Sequence, residues 1–204
     1  MGENGNRPLA GRLALVTGAG IGIGKGVATE LARQGAHVAL HYAHSAAGAL
    51  EAAEEIRRVG GTACTVKGDL SKVEECRRIV DEAASSLGGL DILVNNAGIT
   101  ESKSFLEVDE AFFSKIFDIN IRGEYFTAQQ AARHMKERGG GTIVNMSSVH
   151  AHGGVPGNTV YAATKGAIVA FTRALAIELI PLRIRVNAVA PGHVEVPRHR
   201  AMPG

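Results

Sequence analysis

Cysteine is scarce in this chain, with two among 204 residues, Cys64 and Cys76. They form neither a disulfide framework nor a metal-ligand spacing, and both read as small apolar residues. No metal site is expected. Charge of one sign is scarce too: the formal net charge is +2, and no run of five or six basic residues occurs. That excludes an electrostatic footprint for nucleic acid. No uninterrupted apolar run approaches the ~20 residues of a membrane span. The polar, Gly-rich start "MGENGNRPLAG" is unlike a secretory leader, so the expected location is cytoplasmic. No internal repeat and no Pro/Ser-rich linker breaks the chain. Residues 1–204 are therefore read as one globular domain, with 45% hydrophobic residues to fill a core.

Glycine, by contrast, is abundant, with 26 residues. Many glycines sit where periodic segments end, as turns and helix caps do. Between them the pattern alternates. "RLALVT" (12–17), "HVALHY" (37–42), "TACTVKGD" (62–69), "DILVNNAG" (91–98), "GTIVNMSS" (141–148) and "IRVNAVAPG" (184–192) read as buried strands. Helical stretches are expected at 23–34, 45–59, 72–87, 110–138 and 159–180, the last one stopped by Pro181. Asn158 or Thr159 is placed to cap that last helix. Strands joined through helices pair in parallel, with helices on both faces. The expected architecture is α/β, a doubly wound Rossmann-type sheet that binds ligands beyond its C-terminal strand ends.

"T-G-A-G-I-G-I-G" (17–24) follows the first strand and opens the first helix. That position suits a dinucleotide's pyrophosphate. Gly18 permits a tight turn, Gly22 a close backbone approach, and Gly24 close packing behind the loop. The helix N-terminus adds free N–H groups and partial positive charge. Gly20, Ile21 and Ile23 complete the loop. The spacing G-x-x-x-G-x-G is that of the short-chain dehydrogenase/reductase family, which this sequence resembles from about residue 9 to 191.

That resemblance implies further site residues. Asp69 and Leu70 match the adenine contact after the third strand, although Asp69 also suits a turn that caps the next helix. Asn96, Ala97 and Gly98 belong to the family's N-N-A-G segment, which also ties the central sheet. Pro191, Gly192 and Val194 match the stretch beside the nicotinamide. Tyr161 and Lys165 form the family's Y-x-x-x-K motif, one helical turn apart. Ser148 lies thirteen positions earlier, and Asn120 occupies the family's fourth catalytic position. By this resemblance Tyr161 is the general acid/base, and a nearby cation, Lys165, favours its phenolate. Lys165 also holds the nicotinamide ribose, Ser148 orients the substrate oxygen, and Asn120 holds a water leading to Lys165. Tyr161 and Lys165 are thus both catalytic and cofactor-contacting.

The second strand ends in His41, Tyr42, His44 and Ser45, with no carboxylate to repel a 2′-phosphate. NADP(H) is favoured over NAD(H), against the absence of a basic residue in the loop, where Ile21 stands. The expected reaction interconverts a carbonyl and a secondary alcohol. The pattern "VNMSSV…YAATKGAI" is similar to 3-oxoacyl-[acyl-carrier-protein] reductases, and "S-S-V-H" with its following loop is similar to bacterial sugar dehydrogenases. The first gives the best substrate expectation and the second the alternative. A nucleotide-binding relative without turnover is the other open reading. His150 and His152 are read as solvated loop residues. Family members continue past Pro-Gly with a seventh strand and a lid helix and often carry a Thr where Val196 stands. The expected edge is therefore "IRVNAV", apolar and exposed. A homodimer or homotetramer, paired through the long helix and the Tyr-bearing helix, is implied by the resemblance.

Overall fold

In the computed structural model, residues 7–196 are described. Six strands form one parallel sheet in the order β3-β2-β1-β4-β5-β6. They are β1 (Leu13–Val16), β2 (His37–Tyr42), β3 (Ala63–Lys67), β4 (Ile92–Asn95), β5 (Gly141–Met146) and β6 (Ile184–Val189). The register runs unbroken, with Leu15 opposite Ala39 and Leu93, and Leu93 opposite Ile143. Strand order reverses between β1 and β4, which opens a crevice at their C-terminal ends.

Period-2 alternation divides the core between the two faces of the sheet. Leu15, Ala39, Leu93 and Ile143 face one layer with residues of α3 (Val73–Leu87) and α5 (Glu124–Glu137), on which Phe171 and Leu175 of α6 (Thr159–Glu178) also pack. Ala14, Val16, Val38, Leu40 and Val94 face the other, with α1 (Gly22–Arg33) and α2 (Ala46–Arg58). Both faces are covered, so the strands read as apolar runs rather than as alternating ones. Among the described residues β6 is the outermost strand beside β5, with Ile184 and Val186 buried and the rest exposed. The six strands and one domain agree with the sequence reading. The expected lid lies outside the described residues.

Two local expectations need correction. The helix expected at 110–138 is two helices, α4 (Glu110–Phe117) and α5, joined by a π-helical turn at Asp118–Gly123. The turn is held by tertiary bonds: the Asn120 amide is clamped to the Ile99 backbone, and Gly123 lies against the Leu70 carbonyl. Asn158 does occupy the N-cap of α6, but its side chain makes no capping bond. It instead accepts the Ser102 hydroxyl at 2.7 Å. Finally, α6 has 20 residues and a mean hydropathy of 1.3 over its most apolar window, long and apolar enough for a membrane crossing by composition. Its inner face packs on β6 and β5 and carries the buried Lys165, and 28% of that apolar window is buried.

Candidate active site

The glycine loop is built around one histidine. Gly18 has φ +64°, and its N–H donates to His41 Nδ1 at 3.2 Å. The proton of His41 must therefore sit on Nε2, which donates to the Gly68 carbonyl at 3.1 Å. His41 is 2% exposed. Burial holds its pKa down at about 4, partly countered by the bond to Gly68 and reinforced by the Arg78 charge. This corrects the expectation that His41 lines the nucleotide rim. It is a neutral staple joining the loop after β1 to the end of β3.

Asn96 ties the same loop from the other side. Its Nδ2 donates to the carbonyls of Thr17 (2.9 Å) and Gly18 (3.2 Å). Thr17 Oγ1 accepts the N–H groups of Asn96 and Ala97, each at 3.0 Å. A Cβ on Gly24 would overlap the Gly18 carbonyl and Asn96 Nδ2. Gly24→Val is accordingly expected to weaken dinucleotide binding at least tenfold, measured by nucleotide fluorescence titration, and to lower the unfolding midpoint. Ile21, 61% exposed, precedes α1 with no side-chain cap. Gly22 has φ +56°, and Ile23 packs into the α1 layer. The first amides of α1 thus face a cradle that lacks a Cβ and a capping side chain, which fits a pyrophosphate.

Asp69 has the turn role foreseen for it, since its Oδ1 accepts the Ser71 N–H (3.0 Å) and hydroxyl (2.8 Å). These bonds lower its pKa, the backbone bond most of all. It closes the turn before α3, whose own N-cap is Lys72. Asp69 and His44 also line one cavity of about 340 Å³ with Ala43, Lys67, Gly68, Glu75 and Arg78. Leu70 needs correction. Its side chain enters the core and its carbonyl accepts the Cys76 thiol at 3.3 Å, so the side chain offers nothing to an adenine. Tyr42 closes β2, its carbonyl accepting the Gly68 N–H.

The candidate catalytic cluster forms where β4, β5 and α6 converge. Lys165 is buried, and its Nζ donates to the Met146 carbonyl at 2.6 Å and lies 5.5 Å from the Tyr161 ring centroid. Burial lowers its pKa, opposed by the charges of Tyr161 and Glu124. A Cβ on Gly98 would come within 3.2 Å of Asn120 Oδ1 and 3.8 Å of Lys165 Nζ, so these groups share one wall. Asn120 is fixed in this wall by its side chain. Its Oδ1 accepts the Ile99 N–H (2.8 Å), and its Nδ2 donates to the Ile99 carbonyl (3.0 Å) and Thr164 Oγ1 (3.2 Å). Ser148 Oγ accepts the His150 N–H at 3.2 Å, leaving its own hydrogen to donate to a substrate oxygen. Ser147 turns the other way, as alternation requires, and donates to the Lys165 carbonyl at 2.9 Å. The Pro191 carbonyl accepts the Val149 N–H at 3.1 Å, and Gly192 lies beside Val149, so this segment borders the catalytic turn. Val194 is exposed, and Val196 rests against Gly22.

A family model described as short chain dehydrogenase matches residues 12–202. The chain belongs to that family. It is an oxidoreductase of the class acting on CH–OH groups with a nicotinamide dinucleotide. Hydroxynaphthalene reductase-like protein Arp2 of Metarhizium majus is 44% identical over 200 residues, covering 98% of this chain and 74% of that protein. A short chain dehydrogenase from Burkholderia cenocepacia, solved with NADP, superposes with a TM-score of 0.88 at 37% identity, covering 93% of this chain and 77% of that one. Acetoin dehydrogenase YohF from Salmonella typhimurium gives the same score and identity, covering 91% and 74%.

Three features of this dehydrogenase were missed. His41 is a polar residue inside an otherwise apolar strand, which signals a buried partner. His150 was read as solvated, yet its ring sits edge-on to Tyr161, centroids 5.6 Å apart, with Nδ1 buried and unpartnered. Glu124, four residues after Asn120 on the same helical face, is buried beside the cluster.

Proposed function

We propose that the protein is an NADP(H)-dependent carbonyl reductase whose first substrate class is the 3-oxoacyl thioester. A sugar or polyol is the second reading. The observation that carries the proposal is the joined unit of Tyr161, Lys165, Ser148 and His150 at the strand ends. When bound, the nicotinamide supplies or accepts the hydride. Ser148 donates its hydroxyl hydrogen to the substrate oxygen and steadies its developing charge. Tyr161 gives its phenolic proton to that oxygen during reduction, and its phenolate takes the proton back during oxidation. Lys165, held by the Met146 carbonyl, keeps a positive charge near the phenol and favours phenolate. His150, edge-on to the Tyr161 ring, brings an imidazole to the border of the reacting centre, where it supports a second polar group on the substrate. A 3-oxoacyl thioester carries one there as its thioester carbonyl, and a sugar as a vicinal hydroxyl.

The cofactor reading rests on the cavity at the ends of β2 and β3. His44, Lys67 and Arg78 line it against Asp69 and Glu75, and no carboxylate ends β2. This balance favours an added phosphate. With matched substrate, kcat/KM for NADPH is expected to exceed that for NADH at least tenfold. Parallel turnover measurements check this, and a preference for NADH would sink the NADP reading. The same assay with 3-oxoacyl thioesters, aldoses and acetoin ranks the substrate classes, and silence across the whole panel favours the reading without turnover. Pairing of subunits through the outer faces of α5 and α6 is part of the proposal. There Tyr125, 46% exposed, meets Phe171 at 5.0 Å between centroids. Light scattering on the purified protein reads the subunit count.

A further inference from the structure

Three consecutive residues at the end of β5 hold α6, and two of them hold the same residue. Asn145 Nδ2 donates to Thr172 Oγ1 at 3.0 Å. The Met146 carbonyl accepts Lys165 Nζ at 2.6 Å, and Ser147 Oγ donates to the Lys165 carbonyl at 2.9 Å. Lys165 is therefore gripped at both ends, its ammonium by one strand residue and its backbone by the next. The bond to Met146 already serves the reaction derived above. Ser147 has no task in it.

The Lys165 carbonyl does not need Ser147. Inside α6 it accepts the N–H four residues on, and the hydroxyl takes its second lone pair. What the bond adds is a tie between two elements. Ser147 is buried, 5% exposed, and its own N–H donates to the Val189 carbonyl of β6 at 2.8 Å. The hydroxyl is thus offered from a fixed point of the sheet. The next residue is Ser148, which serves the substrate oxygen in the proposed reaction. The same turn of α6 is held from its other end. Thr164 Oγ1 donates to the Tyr161 carbonyl at 2.7 Å and accepts Asn120 Nδ2 at 3.2 Å. Thr172 lies two turns further along α6, ~10 Å from Lys165. Its bond to Asn145 joins the same strand to the same helix, but away from the chemistry.

We infer that Ser147 is a positioning residue that ties the Lys165 backbone to the strand end carrying Ser148, and so fixes the depth at which Tyr161 meets the substrate oxygen. The inference rests on the proposed reaction, in which the Ser148 and Tyr161 hydroxyls must reach one oxygen. Ser147→Ala removes the tie and leaves the helical hydrogen bonds of α6 in place. The Tyr161–Lys165 turn is then free to slide on β5. A displacement of ~1 Å costs on the order of 10²-fold in rate.

Two measurements on the full chain test this, with Thr172→Val as the comparison. The first is steady-state turnover. In Ser147→Ala, kcat and kcat/KM are expected to fall together by ~10–100-fold, with nucleotide affinity unchanged in fluorescence titration. Thr172→Val leaves the Asn145 amide unpaired, so its unfolding midpoint is expected to drop at least as far, with kcat close to wild type. A Ser147→Ala enzyme with wild-type kcat overturns the inference. So does a loss of kcat that Thr172→Val matches, because stability alone would then account for it. The second is amide hydrogen exchange, which needs no turnover. Exchange over residues 161–169 is expected to quicken about fivefold in Ser147→Ala, while that of β4 stays as in wild type. Unchanged exchange over 161–169 overturns the inference whatever the activity. Ser147→Cys fills the same space and donates only weakly. It must fall between wild type and Ser147→Ala in both measurements, and it serves in place of Ser147→Ala if that variant does not fold. If wild type turns over no carbonyl or alcohol, the proposed reaction has failed, and hydrogen exchange alone decides whether Ser147 fixes the turn.

Discussion

Tyr161→Phe is expected to bind nucleotide as tightly as wild type and to turn over at least ~10³-fold more slowly. The substitution removes one O–H and little else. The ring keeps its edge against His150 and its place near Lys165 Nζ. Lys165 keeps its bond to the Met146 carbonyl, which does not depend on the phenol. Binding therefore survives, while the reacting oxygen loses its proton donor. Lys165→Met is expected to fall further in kcat/KM, because it removes the charge that favours phenolate and one of the groups expected to hold nucleotide. The difference separates the two roles: nucleotide titration stays flat for Tyr161→Phe and weakens for Lys165→Met. Steady-state nucleotide absorbance reads turnover. A Tyr161→Phe enzyme within tenfold of wild type would remove Tyr161 from the chemistry and leave the pair as packing.

The parts of this site that could be read from sequence are those set by local rules. Apolar runs and glycine punctuation located all six strands, because parallel strands are buried on both faces. One helical turn placed Tyr161 beside Lys165, and strand alternation separated Ser148 from Ser147. What escaped depends on tertiary partners. Nothing in "F-D-I-N-I-R-G" marks a π-helical turn, since the clamp comes from Ile99, twenty-one residues away. His41 was assigned to the rim because histidine at a strand end suggests a ligand, and only the buried register of β2 shows otherwise. Glu124 was legible in principle, four residues from Asn120 on one face. Its burial depends on the sheet beneath it, which no local pattern marks.

His41 also carries the second large prediction. Protonating Nδ1 turns an acceptor into a donor facing the Gly18 N–H, so the staple cannot survive its own ionisation. Its folded pKa, about 4, lies below the ordinary 6.5. Between those values the unfolded chain binds a proton that the folded chain refuses. Stability from this group is therefore complete above ~6.5, falls as pH drops, and has lost roughly 3 kcal/mol by ~4, below which the folded state protonates as well. His41→Phe fills the volume but leaves the Gly18 N–H and the Gly68 carbonyl without their partner. It is expected to cost ~2–4 kcal/mol at pH 7 and to loosen the loop, weakening dinucleotide affinity at least tenfold. The decisive quantity is the difference between wild type and variant in urea unfolding free energy across that window. It must shrink as pH falls from 6.5 to 4, because only wild type has the histidine to lose. A difference that stays constant with pH would show that His41 is packed by shape alone, and the glycine loop would need another explanation for its form.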